Sequence, residues 1–210
     1  MSANARLGYI ACIAVAFLLS IASYARIPEP FCGPGCTMAP ARLLIAFALP
    51  AAMAVNVVFL GMLWNRDFIR DRDAHSDATY HAVIRTIVLF LLGLHVAILL
   101  ALTSQLRPDV VKAVAHAVPV MFGLTLIVIG NLLPRFRPNL VIGIRTSRTL
   151  NDRAAWAHTN RVAGYATVGS GASFLLAGLL PNLPVMEFAT IAALCVMSAF
   201  VWRSWRSRHA

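Results

Sequence analysis

Charged side chains are scarce in this chain. Only 12% of its 210 residues are charged, where an average soluble domain has roughly a quarter. Carboxylates are the scarcer kind, with 8 Asp and Glu against 18 Lys and Arg. Hydrophobic residues make up 60% of the chain, and its mean hydropathy is +0.75. A chain of this composition is a poor candidate for a soluble domain.

The common catalytic signatures are missing as well. The sequence contains no GxSxG, no HExxH and no glycine-rich phosphate-binding loop. We therefore predict that the protein is not an enzyme and that it needs no cofactor and no metal. An enzyme acting on lipid, with its active site in the fourth loop, is the weakest alternative, because that loop offers no positioned nucleophile or acid/base pair.

Long charge-free runs are what the chain has in abundance. A helix needs about 20 apolar residues to cross a hydrocarbon core of roughly 30 Å. Since backbone must be hydrogen-bonded in lipid and the alternation of a β-barrel is missing, the runs predict helices. The fold class is therefore all-α, a polytopic six-transmembrane-helix bundle with residues 1–210 as a single membrane domain. The predicted spans lie at about 7–25, 43–64, 86–105, 112–133, 163–181 and 185–202.

The basic residues predict how this bundle is oriented. One side of the predicted bundle carries only Arg26, Arg42, Arg107 and Lys112, and all other basic residues fall on the opposite side. Because Lys and Arg concentrate in cytoplasmic loops, both termini and the second and fourth loops are predicted to be cytoplasmic. The net charge of +10 is then explained by the orientation of the bundle in the membrane. We therefore predict no direct nucleic-acid binding. The first run has one alternative, a cleaved signal peptide, which would leave five spans.

Two loops carry candidate ligand or disulfide residues. Cys32 and Cys36 enclose a Gly-Pro-Gly turn in the first, outward loop. A disulfide is predicted there, with free thiols or a redox or metal pair as alternatives. The second loop places His75 and His81 near three aspartates. A solvated, charge-mixed hairpin is the favoured interpretation and a metal site the alternative. The aspartates concerned are Asp71, Asp73 and Asp77.

Two histidines are the ionisable groups inside the predicted spans. His95 and His116 could form a proton relay in a small transporter or channel, because intramembrane ionisable residues are often functional. The structural alternative is a neutral imidazole bonded to backbone or to Ser or Thr, and we favour it. In the fifth span, Gly169, Ser173 and Ala177 recur at spacing four and predict close helix packing.

The fourth loop is long, basic and rich in turn residues. Thr149 and Asp152 fit a capping box, which predicts a short helix over 150–162. Trp156 is predicted to anchor that helix at the membrane interface, where indole rings are favoured. Extended or turned backbone at Pro134 and Pro138 would precede it.

Within region 130–163 the sequence resembles the signature of the SdpI family. The matching residues keep the family spacing: Gly130-Asn131, Pro134, Pro138-Asn139, Gly143-Ile144-Arg145-Thr146, Thr149-Leu150, Trp156 and Thr159-Asn160-Arg161. Departures occur at Ser147-Arg148, where the family has Pro-Trp, and at Asn160, where it has His. The outer loop also keeps only Ile27-Pro28 of the family motif there.

The resemblance implies a function. SdpI-type proteins confer immunity to a secreted peptide toxin in the bacterial inner membrane, and the best-studied kind captures a cytoplasmic transcriptional repressor. The implied partners are membrane lipids, an extracellular peptide toxin and such a repressor. By resemblance, Arg145 and Arg161 are binding residues, because a guanidinium binds carboxylate or phosphate through paired donors. The implied motif residues are Asn131, Pro134, Asn139, Gly143, Arg145, Thr146, Thr149, Trp156, Thr159 and Arg161.

Overall fold

Helices account for most of the described chain. The computed structural model describes residues 3–28, 39–65, 74–139 and 141–180. Two 3-10 turns, Tyr24–Arg26 and Leu133–Arg135, follow the first and fourth helices, and these ranges contain no strand. The helices are α1 (Ala3–Ser23), α2 (Ala39–Asn65), α3 (Ala74–Thr103), α4 (Pro108–Leu132), α5 (Ser147–Asn151) and α6 (Arg153–Leu179).

Five of these helices are long and apolar enough to cross a membrane. The candidate spans are Arg6–Arg26, Arg42–Leu63, Asp77–Thr103, Pro108–Arg135 and Arg153–Leu179. Large apolar side chains remain exposed on them, for example Leu44 at 66% and Val55 at 67%. An all-α polytopic membrane protein is thereby confirmed. The predicted sixth span, 185–202, and the pair Cys32 and Cys36 lie outside the described residues.

The prediction of a separate helix over 150–162 is wrong. Residues 153–162 are the first turns of α6, which continues without a break to Leu179. Asp152 begins it, because the Asp152 carboxylate accepts a hydrogen bond from Ala154 N at 2.8 Å and satisfies a free amide of the first turn.

Interhelical contacts place the starts of α1, α3 and α6 at one end of the bundle, together with the last turns of α2 and α4. We call this the loop end. Tyr80, near the start of α3, donates to Leu60 O in α2 at 2.7 Å. Tyr9, near the start of α1, donates to His81 O at 3.1 Å. One apolar cluster here includes Tyr9, Tyr80, Leu132, Phe136 and Trp156.

The helices α4 and α6 approach each other backbone to backbone. A Cβ placed on Gly123 would lie 2.5 Å from Gly171 O, and a Cβ on Gly171 would lie 2.7 Å from Gly123 O. Gly130 and Gly164 face each other in the same way, at 2.8 and 2.6 Å. Only residues without a side chain allow so close an approach, which lets two helices pack tightly in lipid.

The small-residue stripe predicted from the sequence is a different one. Nothing lies within 4 Å of a Cβ built on Gly169, and the Ser173 hydroxyl donates to Gly169 O within its own helix. Of that predicted stripe, Ala177 is buried. The contact with α4 instead uses Gly164, Gly171 and Gly178, which recur every seven residues. Spacing seven keeps residues on one side over two turns, as spacing four does over one.

Candidate functional site

The segment 133–152, here called the motif loop, joins α4 to α6 at the loop end. Its first three residues form the 3-10 turn Leu133–Arg135, in which Pro134 is tolerated because the first amides of a helical turn need no partner. The Pro134 ring carbons also border Gly164, at 3.2 Å from a Cβ built there. The loop therefore begins in contact with the helix to which it returns.

Trp156 holds the first part of the motif loop. Its indole Nε1 donates to Phe136 O at 2.7 Å, and the two residues are only 2% and 3% exposed. Trp156 is thus a buried clamp between loop and α6, and the predicted role as an interfacial anchor is wrong. The indole N–H has a protein partner, which a buried tryptophan requires.

Two buried asparagines order the middle of the loop. Asn139 Oδ1 accepts from Val141 N at 2.8 Å and from Ile142 N at 2.7 Å, while its Nδ2 donates to Arg137 O. This arrangement is a side-chain-closed turn, in which the amide substitutes for backbone partners. Asn139 thus ties down loop backbone, whereas the Asn131 side chain donates to Ile127 O in its own helix.

Asn160 is the second asparagine, and it connects the loop to α6. Its Oδ1 accepts from Ile144 N at 3.0 Å, and its Nδ2 donates to Trp156 O at 3.0 Å. The side chain is fully buried. Sequence reasoning identifies Asn160 only as a departure from the family's His. Its position four residues after Trp156, on the same helix face, is the signal that could have identified its role.

Gly143 passes between these side chains. A Cβ there would lie 2.6 Å from Asn160 Oδ1 and 2.8 Å from Trp156 Cη2. Its φ of +119° belongs to a region that side chains rarely allow. The family-like glycine is therefore explained by lack of space and by backbone conformation together.

A capping box begins α5, but its members differ from those predicted. Thr149 N donates to Thr146 Oγ1 at 3.1 Å, and Thr146 N donates to Thr149 Oγ1 at 2.8 Å. Thr146 is the N-cap, so the predicted box of Thr149 with Asp152 is wrong. Thr149, which is buried, also donates to Ile144 O at 2.9 Å. The box thereby joins the short helix to the part of the loop that precedes it.

The outer face formed by the motif loop and the first turns of α6 is basic. Arg145 and Arg161 are exposed, and Thr159 in the second turn of α6 is half-buried. The Asp152 carboxylate is engaged at the start of α6. Guanidinium groups on a fixed backbone suit carboxylate or phosphate partners. The other exposed arginines here are Arg135, Arg137, Arg148 and Arg153.

His95 lies in a polar contact between α1, α2 and α3, away from the loop end. Its Nε2 is 3.0 Å from Ser20 Oγ and 3.2 Å from Ala16 O, and the residue is fully buried. These contacts are those of the structural alternative. The His116 side chain is half-exposed, and its backbone carbonyl faces Gly178 of α6. His95 thus contacts α1, whereas His116 lies beside α6.

A proline makes this polar contact necessary. Pro50, buried inside α2, has no N–H to give to Ala46 O. Ser20 Oγ donates to that carbonyl at 2.6 Å. The hydroxyl of α1 thus replaces a missing hydrogen bond of α2, as lipid-buried backbone requires.

We expect Ser20→Ala to lower the free energy of unfolding by about 0.5–1.5 kcal/mol, because Ala46 O loses its donor. In Pro50→Ala, residue 50 regains an N–H for that carbonyl. The loss caused by Ser20→Ala should therefore be smaller in the Pro50→Ala background. Thermal unfolding of the parent and the three variants (two single, one double) in detergent measures this coupling. An equal loss in both backgrounds would contradict the link between Ser20 and Pro50.

Metal binding is the alternative interpretation of the second loop. Asp71 and Asp73 lie outside the described ranges. His81 Nδ1 lies 3.2 Å from Tyr9 Oη. Within the part of the chain that the structure describes, no three His, Cys, Asp or Glu residues lie together.

Comparison with known proteins identifies a family for part of the chain. The family model described as SdpI/YfhL protein family matches residues 135–202. This range includes most of the motif loop and α6. The searches of curated proteins and of solved structures found no match. The chain is a multi-pass helical membrane protein in which residues 135–202 match the model of the SdpI/YfhL family, the family that its fourth-loop motif resembles.

Proposed function

We propose that this protein confers immunity to a secreted peptide toxin in the bacterial inner membrane, as SdpI-type proteins do. Its motif loop would be the cytoplasmic effector surface, and an acidic face of a transcriptional repressor its partner. The structure of that loop is the observation that supports the proposal. Buried side chains hold its inner face, whereas its outer face exposes arginines.

The fixed inner face supports a binding role. Asn139, Asn160 and Trp156 are buried and bond loop backbone at distances between 2.7 and 3.0 Å. An ordered loop loses little conformational entropy when a partner binds, so more of the interaction energy appears as affinity. The loop also rests on the apolar cluster that contains Tyr9 and Tyr80. Changes in the packing of α1 and α3 would therefore reach its base.

The exposed outer face supplies the attraction. Exposed guanidinium groups raise the association rate with an acidic partner, and paired donors fix its orientation. The same arginines would contact lipid phosphates near the headgroups. The two roles are compatible, because an effector surface at a membrane must be held beside it.

Expression of the chain in a toxin-sensitive bacterium tests the proposal. We expect protection against at least one peptide in a panel of purified secreted antibacterial peptides. The double variant Arg145→Ala, Arg161→Ala should lower the protective effect by about tenfold, corresponding to roughly 1.4 kcal/mol of lost interaction. Survival against peptide concentration is the measurement.

Lys112→Ala is the matched control, because Lys112 is exposed at the opposite end of the bundle. It should protect like the parent chain when present in the membrane at equal amounts. Sensitivity of the expressing strain to every peptide in the panel would remove the immunity proposal. Full protection by the double arginine variant would remove the effector role of the loop.

A further inference from the structure

A groove of about 440 Å³ lies between α1 and α3 at the loop end, outside the motif loop. Gly8, Tyr9 and Cys12 form its α1 wall, and His81 and Arg85 belong to its α3 wall. Volumes of this size are typical of sites for small ligands. The family-like motif uses none of these residues.

The polar residues of the groove, Tyr9, His81 and Arg85, lie nearer the loop end than its apolar residues Val88 and Leu89. Tyr9 Oη lies 3.1 Å from His81 O and 3.2 Å from His81 Nδ1, so the two walls of the groove are joined by a polar contact. Arg85 comes next along α3, and Val88 and Leu89 follow one turn deeper. The charge-free run of this helix begins directly after Arg85, so its guanidinium lies near headgroup depth.

The charge of the groove has one sign. Among the described residues that line it, Arg85 is present and no carboxylate is, and Arg85 itself is exposed. The remaining wall residues are Ala78, Ala82, Val88 and Leu89. An occupant that matches this lining has an anionic head beside Arg85 and a hydrocarbon portion beside Leu89, which is exposed.

Gly8 keeps the groove open on the α1 side. A Cβ placed there would meet nothing within 4 Å. No neighbouring helix among the described residues therefore requires a glycine at this position for packing, in contrast to the glycines between α4 and α6. A larger side chain at residue 8 would enter the groove without displacing a helix.

We propose that this groove binds one anionic phospholipid, with its phosphate beside Arg85 and an acyl chain against the exposed Leu89. Arginine recognises phosphate through paired charged hydrogen bonds, and basic pockets between transmembrane helices are known sites for lipid head groups. The proposal does not depend on immunity to a toxin. One lipid molecule would then occupy a specific site on the protein, in addition to the bulk lipid that surrounds the helices.

Native mass spectrometry of the purified, delipidated full-length chain tests this site. The protein is titrated with dioleoyl phosphatidylglycerol, with dioleoyl phosphatidylcholine and with inorganic phosphate. We expect one phosphatidylglycerol to bind at least about tenfold more tightly than phosphatidylcholine. Gly8→Leu and Arg85→Gln should each weaken that binding by about tenfold, and Arg85→Lys should weaken it less, because it keeps the charge.

Gly61→Leu is the matched control, since a Cβ on Gly61 of α2 also meets nothing within 4 Å. It should bind phosphatidylglycerol like the parent. If Gly8→Leu is not recovered folded, Ala78→Leu fills the groove from α3. Unchanged binding in the groove-filling variant places the lipid elsewhere and overturns the proposal. Equal affinity for the two lipids overturns it as well, and so does inorganic phosphate that binds as tightly as phosphatidylglycerol.

Discussion

Gly171→Leu is expected to unfold at a much lower temperature than the parent chain. A Cβ at this position would lie 2.7 Å from Gly123 O and 2.9 Å from Ile127 N, both backbone atoms of α4. Backbone cannot turn aside as a side chain can, so α4 and α6 must separate. We expect the free energy of unfolding to fall by about 3 kcal/mol. Circular dichroism during heating in detergent measures the loss.

Gly169→Leu provides the comparison within the same helix. A Cβ there meets nothing within 4 Å, and replacing a helical glycine by leucine favours the helix. This variant should unfold at the parent's temperature or slightly above it. An equal loss in the two variants would mean that the close approach of α4 and α6 does not stabilise the fold.

Asn160→Leu is expected to release the motif loop while leaving the bundle helical. Leucine has nearly the shape of asparagine but cannot accept from Ile144 N or donate to Trp156 O. A buried unpaired amide costs about 1–3 kcal/mol. Trypsin should therefore cleave after Arg145 and Arg148 several-fold faster than in the parent. The cleavage rate, followed by mass spectrometry under native conditions, is the measurement.

Asn160→His distinguishes loss of the hydrogen bond from loss of the asparagine itself. The imidazole Nδ1 occupies nearly the position of the amide oxygen and can accept from Ile144 N. We expect cleavage close to the parental rate in this variant, which introduces the histidine that the SdpI family has at this position. Rapid cleavage of the histidine variant and slow cleavage of the leucine variant would contradict the role assigned to Asn160.

The membrane-spanning helices can be predicted from sequence, because a helix that crosses the hydrocarbon core must be long and nearly free of charge. The first five predicted spans each correspond to a candidate span. The predicted start of α6 is misplaced because Arg153 and Arg161 interrupt the apolar sequence, although arginine is a good helix former. Charge therefore identifies where the apolar run begins, and not where the helix begins.

The side-chain contacts are harder to predict from sequence, because they depend on which helices are neighbours. Ser20 bonds Ala46 and His95, which are distant in sequence. The carbonyl left free by Pro50 is visible from sequence, but its donor is not. Trp156 is expected at the lipid interface, since local sequence cannot reveal that Phe136 O lies within reach of its indole.

The glycines between α4 and α6 have a consequence for how this helix pair is aligned. Because they recur every seven residues, sliding one helix by two turns, about 10.5 Å, would bring Gly130 opposite Gly171. A repetitive interface of this kind permits more than one register of α4 against α6. The bond from Trp156 to Phe136 O belongs to one alignment only. The motif loop therefore fixes the register of the helix pair, which the glycine spacing alone leaves undetermined.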